Sequence, residues 1–326
     1  MPANRLSSNL SRHGGWAKQR PAATMNDTKP YIPFHGAVMP EAMRADSKIQ
    51  FRCYQGISCF NTCCRQADIT LAPYDILRLK RRLGMSSTEF IRQYTVPFQM
   101  DGDGMPGVKL RTDETGTCLQ LDGDNGCGVY SDRPTVCRYY PVALLALREK
   151  DSPEAKERYS LVKEAHCKGH AEPREISIAD YRVEQGCEEY DARNREWYRL
   201  VLKKKSAGPS VGRPPRASLQ LFFMASYDID TCRRFVLSGN FRSTYQLPAE
   251  FYAEVKQGDE ALLDFAFRFL RQVLFGERIV QEFADAWDRR VAQRKEVWDA
   301  RKQMEIERSM AADDQKYTEG GDGYRA

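Results

Sequence analysis

The stretch FRCYQGISCFNTCC, residues 51–64, places Cys53, Cys59, Cys63 and Cys64 within a dozen positions of a chain that has ten cysteines in 326 residues. Three more thiols fall on or beside turn sequence: Cys118 after ETGT, Cys127 inside DNGCGVY, and Cys137 in RPTVCRYYP. Cys167 sits between two histidines in HCKGH. A buried structural cysteine is typically a lone small hydrophobe inside a helix or strand, whereas these stand among Gly, Asp and Pro, where backbone can wrap a metal and donate N–H to sulfur. Thiolate is the preferred donor for zinc and for iron–sulfur clusters, both of which take four protein ligands. Eight thiols make two four-thiolate sites or one larger polynuclear cluster. The side chains of neighbours diverge by about 100° in a helix and about 180° in a strand, so Cys63 and Cys64 are expected to feed two sites, or different metals of one cluster.

Such a donor set carries negative charge and needs donors around it. Arg133 and Arg138 flank Cys137, and Arg65 follows the doublet. His166 and His170 bracket Cys167, but the chain has only 4 histidines, so thiolates must dominate. Cys187 and Cys232 lie in helical patterns and read as packing residues.

The elements that hold these loops are expected as follows. Residues 1–47 read as an irregular basic arm, 48–205 as the cysteine-cluster unit, 206–217 as a Pro/Gly linker, 218–312 as a helical unit, and 313–326 as a disordered tail. ADITL (67–71) reads as a short strand, and Pro73 opens a helix closed by Gly84. SSTE (86–89) is a capping-box pattern. GVKLRT and TCLQL read as two strands around DETG, VALLAL (142–147) as a core segment, and one long helix starts at Ser177. Beyond the linker, apolar residues recur at three and four. Phe283, Trp287, Val291 and Trp298 continue that pattern on a charged final helix expected to lie on the body, with an unidentified protein partner for the helical unit as the other use of that face. The fold class expected is α+β and predominantly helical, a small metal-centred domain with short strands followed by helices.

Composition narrows the function. No apolar run approaches the ~18 residues of a membrane helix, and the first 24 residues lack a secretory apolar stretch, so a soluble, cytoplasmic protein with reduced thiols is expected. The net charge of +5 lies in two segments, residues 1–24 with four basic residues and 203–217 with five; the rest is net negative, which gives no folded nucleic-acid reader. The glycines of DGDG and DGDNG follow no strand-to-helix transition, so no phosphate loop is indicated. In DGDNGCG the turn glycine of a calcium loop is replaced by Cys127. The four scattered histidines make no Ser/His/Asp set.

The pattern FxC…CxxxCC, CLQL, CGVY and DRPTVCRYYP, continuing through HCKGH to the EQG segment, resembles the YkgJ-type cysteine-cluster proteins, the zinc- or iron-chelating CxxCxxCC family. FFMASYDIDTCRRFVL and LLDFAFRFL also look like the C-terminal half of longer bacterial members. The resemblance implies metal ligands at Cys53, Cys59, Cys63, Cys64, Cys118, Cys127, Cys137 and Cys167. The opening C-x5-C is wider than the family's spacing. The long loops, the doublet and the scarcity of histidine favour an iron–sulfur cluster over zinc, with a redox or electron-transfer role. Two other functions stay open. One is a protein-modifying enzyme, because the cluster resembles a domain of flagellin lysine methylases. The other is a structural zinc module for protein contact.

Overall fold

The computed structural model describes residues 42–148, 155–206 and 213–319. Most of the expected basic arm, part of the linker and the last residues of the tail lie outside them.

The first strand, β1 (Lys48–Gln50), enters the thiol-bearing loop and pairs antiparallel with β8 (Glu175–Ser177). Helix α1 (Pro73–Arg82) begins with proline at its first position, where a missing N–H costs nothing, and the Asp75 carboxylate accepts the Ala72 N–H at 2.8 Å. Its Ile76, Leu77 and Leu79 are buried. Helix α2 (Ser87–Tyr94) has the expected capping box: Ser86 Oγ accepts the Glu89 N–H at 3.2 Å, and Glu89 Oε2 accepts the Ser86 N–H at 3.0 Å. Strands β2 (Thr95–Gln99) and β3 (Pro106–Leu110) form a hairpin in which Pro97 faces Val108. Then come β4 (Leu121–Asp122), β5 (Gly126–Cys127), α3 (Thr135–Tyr139) and the hairpin β6 (Val142–Arg148) and β7 (Ala155–Leu161).

Helices α4 (Ile178–Glu184) and α5 (Cys187–Ser206) precede α6 (Arg216–Tyr227), α7 (Ile229–Val236), α8 (Gly239–Thr244), α9 (Ala249–Gln257), α10 (Asp259–Phe275) and α11 (Ala286–Glu319). The expected α+β, mainly helical class is the observed one. Its strands sit in four two-stranded sheets.

One hydrophobic core runs from α1–β3 through α5 to α10, joining Leu71, Leu79 and Val108 to Trp197, Phe222 and Leu270. Trp197 stacks on Phe222 and donates its indole N–H to Ser226 Oγ at 3.1 Å. A buried lysine, Lys80, reaches across to Asp230 at 3.0 Å and Asp259 at 3.3 Å. Core and ion pairs thus cross the Pro/Gly stretch. A second, smaller core, with Ile49, Phe51, Tyr139, Tyr159, Ile178 and Tyr181, lies under the thiol loops.

Four local expectations need correction. ADITL makes only the bridge Thr70–Lys109, and TCLQL contributes only the start of β4 besides the bridge Thr112–Cys118. VALLAL, by contrast, is a core segment as expected, within strand β6 and with Val142 and Ala143 buried. The helix starting after Ser177 breaks at Gly186, whose φ of +64° is left-handed, and restarts as α5. The final helix does not lie on the body: Phe283, Trp287, Val291 and Trp298 are all exposed.

Candidate metal centre

Three separate segments bring the thiols together. In the first, Gly56 and Asn61 adopt left-handed conformations, with φ of 108° and 66°, and wrap the loop from Cys53 into a single 3-10 turn over Thr62–Cys64. Asn61 is among the non-glycine residues that tolerate this region best, and its side-chain amide donates to Gly123 O at 3.3 Å.

The second segment is tied to the doublet by the backbone. The Cys118 N–H donates to Cys64 O at 2.8 Å, and the Ala67 N–H to Gly116 O at 3.1 Å. Cys127 ends β5 opposite Leu121. Cys137 lies on α3, whose start is fixed by Asp75: the carboxylate accepts both the Thr135 N–H at 2.9 Å and its hydroxyl at 2.6 Å. One fully buried carboxylate therefore anchors both α1 and the cysteine-bearing helix.

The third segment, HCKGH, is clamped against the first. Arg52 N–H donates to Gly169 O at 3.1 Å, and a Cβ at Gly169 would stand 2.6 Å from the Phe51 ring and 2.8 Å from Arg52 O. Only glycine permits that approach. It brings the Lys168 N–H to 3.2 Å from Cys59 Sγ, a backbone donor on sulfur.

All eight predicted ligand cysteines carry free thiols and are exposed or half-buried, whereas Cys187 and Cys232 are buried in the two cores. The electrostatics show which thiols share space. Burial pushes the Cys53 thiol up to about 11, reinforced by Cys63, Cys59 and Cys167. Cys64 is pushed up by its hydrogen bond with Cys63, then by burial, then by Cys63, Cys137 and Cys118. Burial raises Cys118 and Cys137 as well, and each also feels other thiols, Cys118 those of Cys127 and Cys63, Cys137 those of Cys118, Cys127 and Cys63. Cys63 is the exception, held down to about 7 by its hydrogen bond with Cys64. Cys63 is therefore within electrostatic reach of Cys53 on one side and of Cys118, Cys127 and Cys137 on the other, and Cys64 is within reach of Cys118 and Cys137.

Thiols so arranged cannot all ionise beside one another without a cation. Among the described residues, no group of three or more His, Cys, Asp or Glu side chains closes on one point. The fit to a thiophilic metal is therefore one of donor chemistry and surroundings. Backbone amides of Gln120 and Val129 act on the Cys118 and Cys127 sulfurs. Buried donors in adjoining residues, Gln120 Nε2, Arg133 Nε and Tyr140 Oη, have no hydrogen-bond partner among the described residues. The Tyr140 hydroxyl lies beside Cys167 and Glu164.

The two arginines around Cys137 have different tasks. Arg133 stacks on Tyr130 at 4.3 Å, and its charge favours the thiolates of Cys53, Cys63, Cys127 and Cys137. Arg138 is a strut: it stacks on Tyr190 at 4.1 Å and donates to Arg133 O at 3.1 Å, Gln185 O at 2.8 Å and Tyr190 Oη at 3.0 Å. Arg65 is exposed. His170 packs on Phe51 at 5.2 Å with Nε2 3.1 Å from Val162 O, and His166 pairs with Glu164 at 3.3 Å. Sequence reasoning overlooked Tyr140 and Gln120, for which the only signal is adjacency to cysteine motifs, and Asp75, for which there is none.

Residues 52–196 match the family model CxxCxxCC, described as "Putative zinc- or iron-chelating domain". No curated protein and no solved structure matches the chain.

Proposed function

We propose, with the match of residues 52–196 to the zinc- or iron-chelating CxxCxxCC model as support, that the chain is a cytoplasmic metalloprotein holding an iron–sulfur centre through Cys53, Cys59, Cys63, Cys64, Cys118, Cys127, Cys137 and Cys167. The observation that carries this reading is that three separate segments bring these eight free thiols within electrostatic reach of one another. Such a centre, when bound, supplies one-electron chemistry. The protein's part is to hold the thiolates and balance their charge. Arg133 supplies the cation, the Gln120, Val129 and Lys168 amides supply donors to sulfur, and the Tyr140 hydroxyl beside Cys167 is free to donate to a thiolate there. Hydrogen bonds and net charge around the sulfurs set the reduction potential of such centres.

Single Cys→Ser variants purified without oxygen test the ligand set. Cys118→Ser and Cys167→Ser are expected to lose metal, and Cys187→Ser to keep it. Full metal content in Cys118→Ser and Cys167→Ser would overturn the assignment.

A further inference from the structure

Helix α11 spans 34 residues, about 50 Å at 1.5 Å per residue. Its ties to the body are at its start, where Ala286 is buried, Arg289 donates to Ser243 O, and Arg290 pairs with Glu282. Among the described residues, no hydrogen bond or ion pair joins the helix to the body beyond Arg290. Trp287, Val291 and Trp298 are 65%, 49% and 73% exposed. At about 100° per residue these three fall within about 40° of one another around the helix, as one narrow apolar stripe. Glu305 falls on the same line and ends it, and Val297 and Met304, also exposed, lie off it.

The charged residues of 286–302 are sorted about that stripe. Arg294, Arg301 and Arg290 lie about 20–60° to one side of Trp287, and Lys302 and Lys295 about 20–40° beyond Val291 on the other. Asp288, Asp299 and Glu296 lie about 100–180° from Trp287, across the helix. Arg294, Lys295, Arg301 and Lys302 are exposed and close no ion pair among the described residues, although Asp299 is one turn from Lys295 and Lys302, and Glu305 one turn from Arg301. A layered medium accounts for this order: apolar stripe inward, long cationic side chains beside it snorkelling to phosphate depth, carboxylates in water. Tryptophan prefers the same interface, where the ring is in apolar surroundings and the indole N–H meets headgroups. Other polyanions fit less well. Stacked bases would use the tryptophans but leave Val291 without a partner. Docking in a protein groove wants an apolar anchor at each turn, and between Val291 and Trp298 the helix presents Arg294 instead.

We propose that α11 is an interfacial element that lays its Trp287, Val291, Trp298 stripe on an anionic lipid surface, with Arg294, Lys295, Arg301 and Lys302 on the headgroup phosphates. Four such cations on an amphipathic helix suffice for recognition of anionic lipid. The contact is peripheral, since among the described residues no helix is long and apolar enough to cross a membrane. It covers residues 287–302, about 24 Å of helix, and Glu305 and Glu307 limit it on the C-terminal side. The folded body, joined to the N-terminal end of α11, is thereby held at the membrane surface.

Co-sedimentation of the full chain with vesicles tests this, with far-UV circular dichroism and metal content as controls on folding. Vesicles of equal parts phosphatidylcholine and phosphatidylglycerol should bind the wild type at low salt and blue-shift its tryptophan emission. Pure phosphatidylcholine should bind it at least about tenfold more weakly. Arg294→Glu with Arg301→Glu should lower partition onto the mixed vesicles by at least about tenfold, and Trp287→Ala with Trp298→Ala should weaken it and abolish the emission shift. Residues 1–24 are also basic, so wild-type binding supports the proposal only where both variants weaken it. A wild type that stays in the supernatant, equal binding to neutral vesicles, or binding that either variant keeps in full overturns the proposal. Binding to polyuridylate or polyglutamate without binding to the mixed vesicles overturns the lipid as occupant.

Discussion

The thiol loops and the α6–α10 helices are ordered by different means. Around α10, Leu262, Leu263, Phe265, Phe269 and Leu270 are buried against Phe222, Val236, Phe241 and Val255, each such side chain contributing about 1.5–3 kcal/mol by leaving water. The loops at 51–64 and 113–137 bury little of that kind. They are joined instead by single backbone hydrogen bonds, such as Cys118 to Cys64 and Ala67 to Gly116, and by glycines in left-handed conformations. Each ordered residue costs about 1–2 kcal/mol of backbone entropy, so on the proposed reading it is metal ligation that offsets the loops' cost. The helical region needs no such help.

The largest effect should separate the regions outright. Cys137→Ser removes one proposed ligand from the segment that α3 carries, and should forfeit much of the ~10–16 kcal/mol that structural metal binding can contribute. Metal analysis and thermal unfolding would show loss of metal together with destabilisation of residues 52–196. Phe222→Ala, in the core, should cost about 3–5 kcal/mol while the protein still holds its metal; metal lost in proportion to stability would mean the regions are not separable in this way.

Asp75 lies where the regions meet, and its burial pushes the carboxyl from 3.8 up to about 6, against the pull of its hydrogen bonds from Thr135 and Ala72. A raised folded value means that the folded protein binds this proton more tightly than the unfolded chain. Its stabilising contribution is full below about 4 and is lost as pH rises through about 6, a change worth about 3 kcal/mol. Asp75→Asn does not titrate. Denaturant unfolding of both proteins across that window should therefore show the wild type losing ground to the variant as pH rises, and a constant difference would contradict it.

Arg133→Gln removes the cation whose charge reaches Cys53, Cys63, Cys127 and Cys137 and should weaken metal affinity by about 10–100-fold, as loss of outer-shell partners does, read by competition with a chelator. Cys232→Ser places a hydroxyl in the apolar core and should cost about 1–3 kcal/mol with metal stoichiometry unchanged. An equal metal loss in Cys232→Ser and Cys137→Ser would dissolve the distinction between packing and ligating cysteines.

Much of the site was legible because its signals are local. Thiols beside Gly, Asp and Pro mark wrapping loops, Pro73 and Ser86–Glu89 mark helix starts, and the chain folds at these places as read. What was not legible depends on distant partners. The break at Gly186 hides inside a continuous helical pattern, and Arg138 packs against that glycine. The role of Asp75 exists only once α1 meets α3. VALLAL could be a buried helix or strand by periodicity alone, and its pairing with 155–161 decides. The apolar face of α11 reads the same whether it covers its own body or a partner, since periodicity reports a face and not what it meets.

The most direct test of the account is metal and acid-labile sulfide analysis of the full chain purified without oxygen from iron-replete cells. The account predicts brown protein containing iron and sulfide, whose colour bleaches in air or with dithionite. Colourless protein holding stoichiometric zinc and no sulfide would contradict the iron–sulfur centre and leave the eight thiols as a structural zinc site.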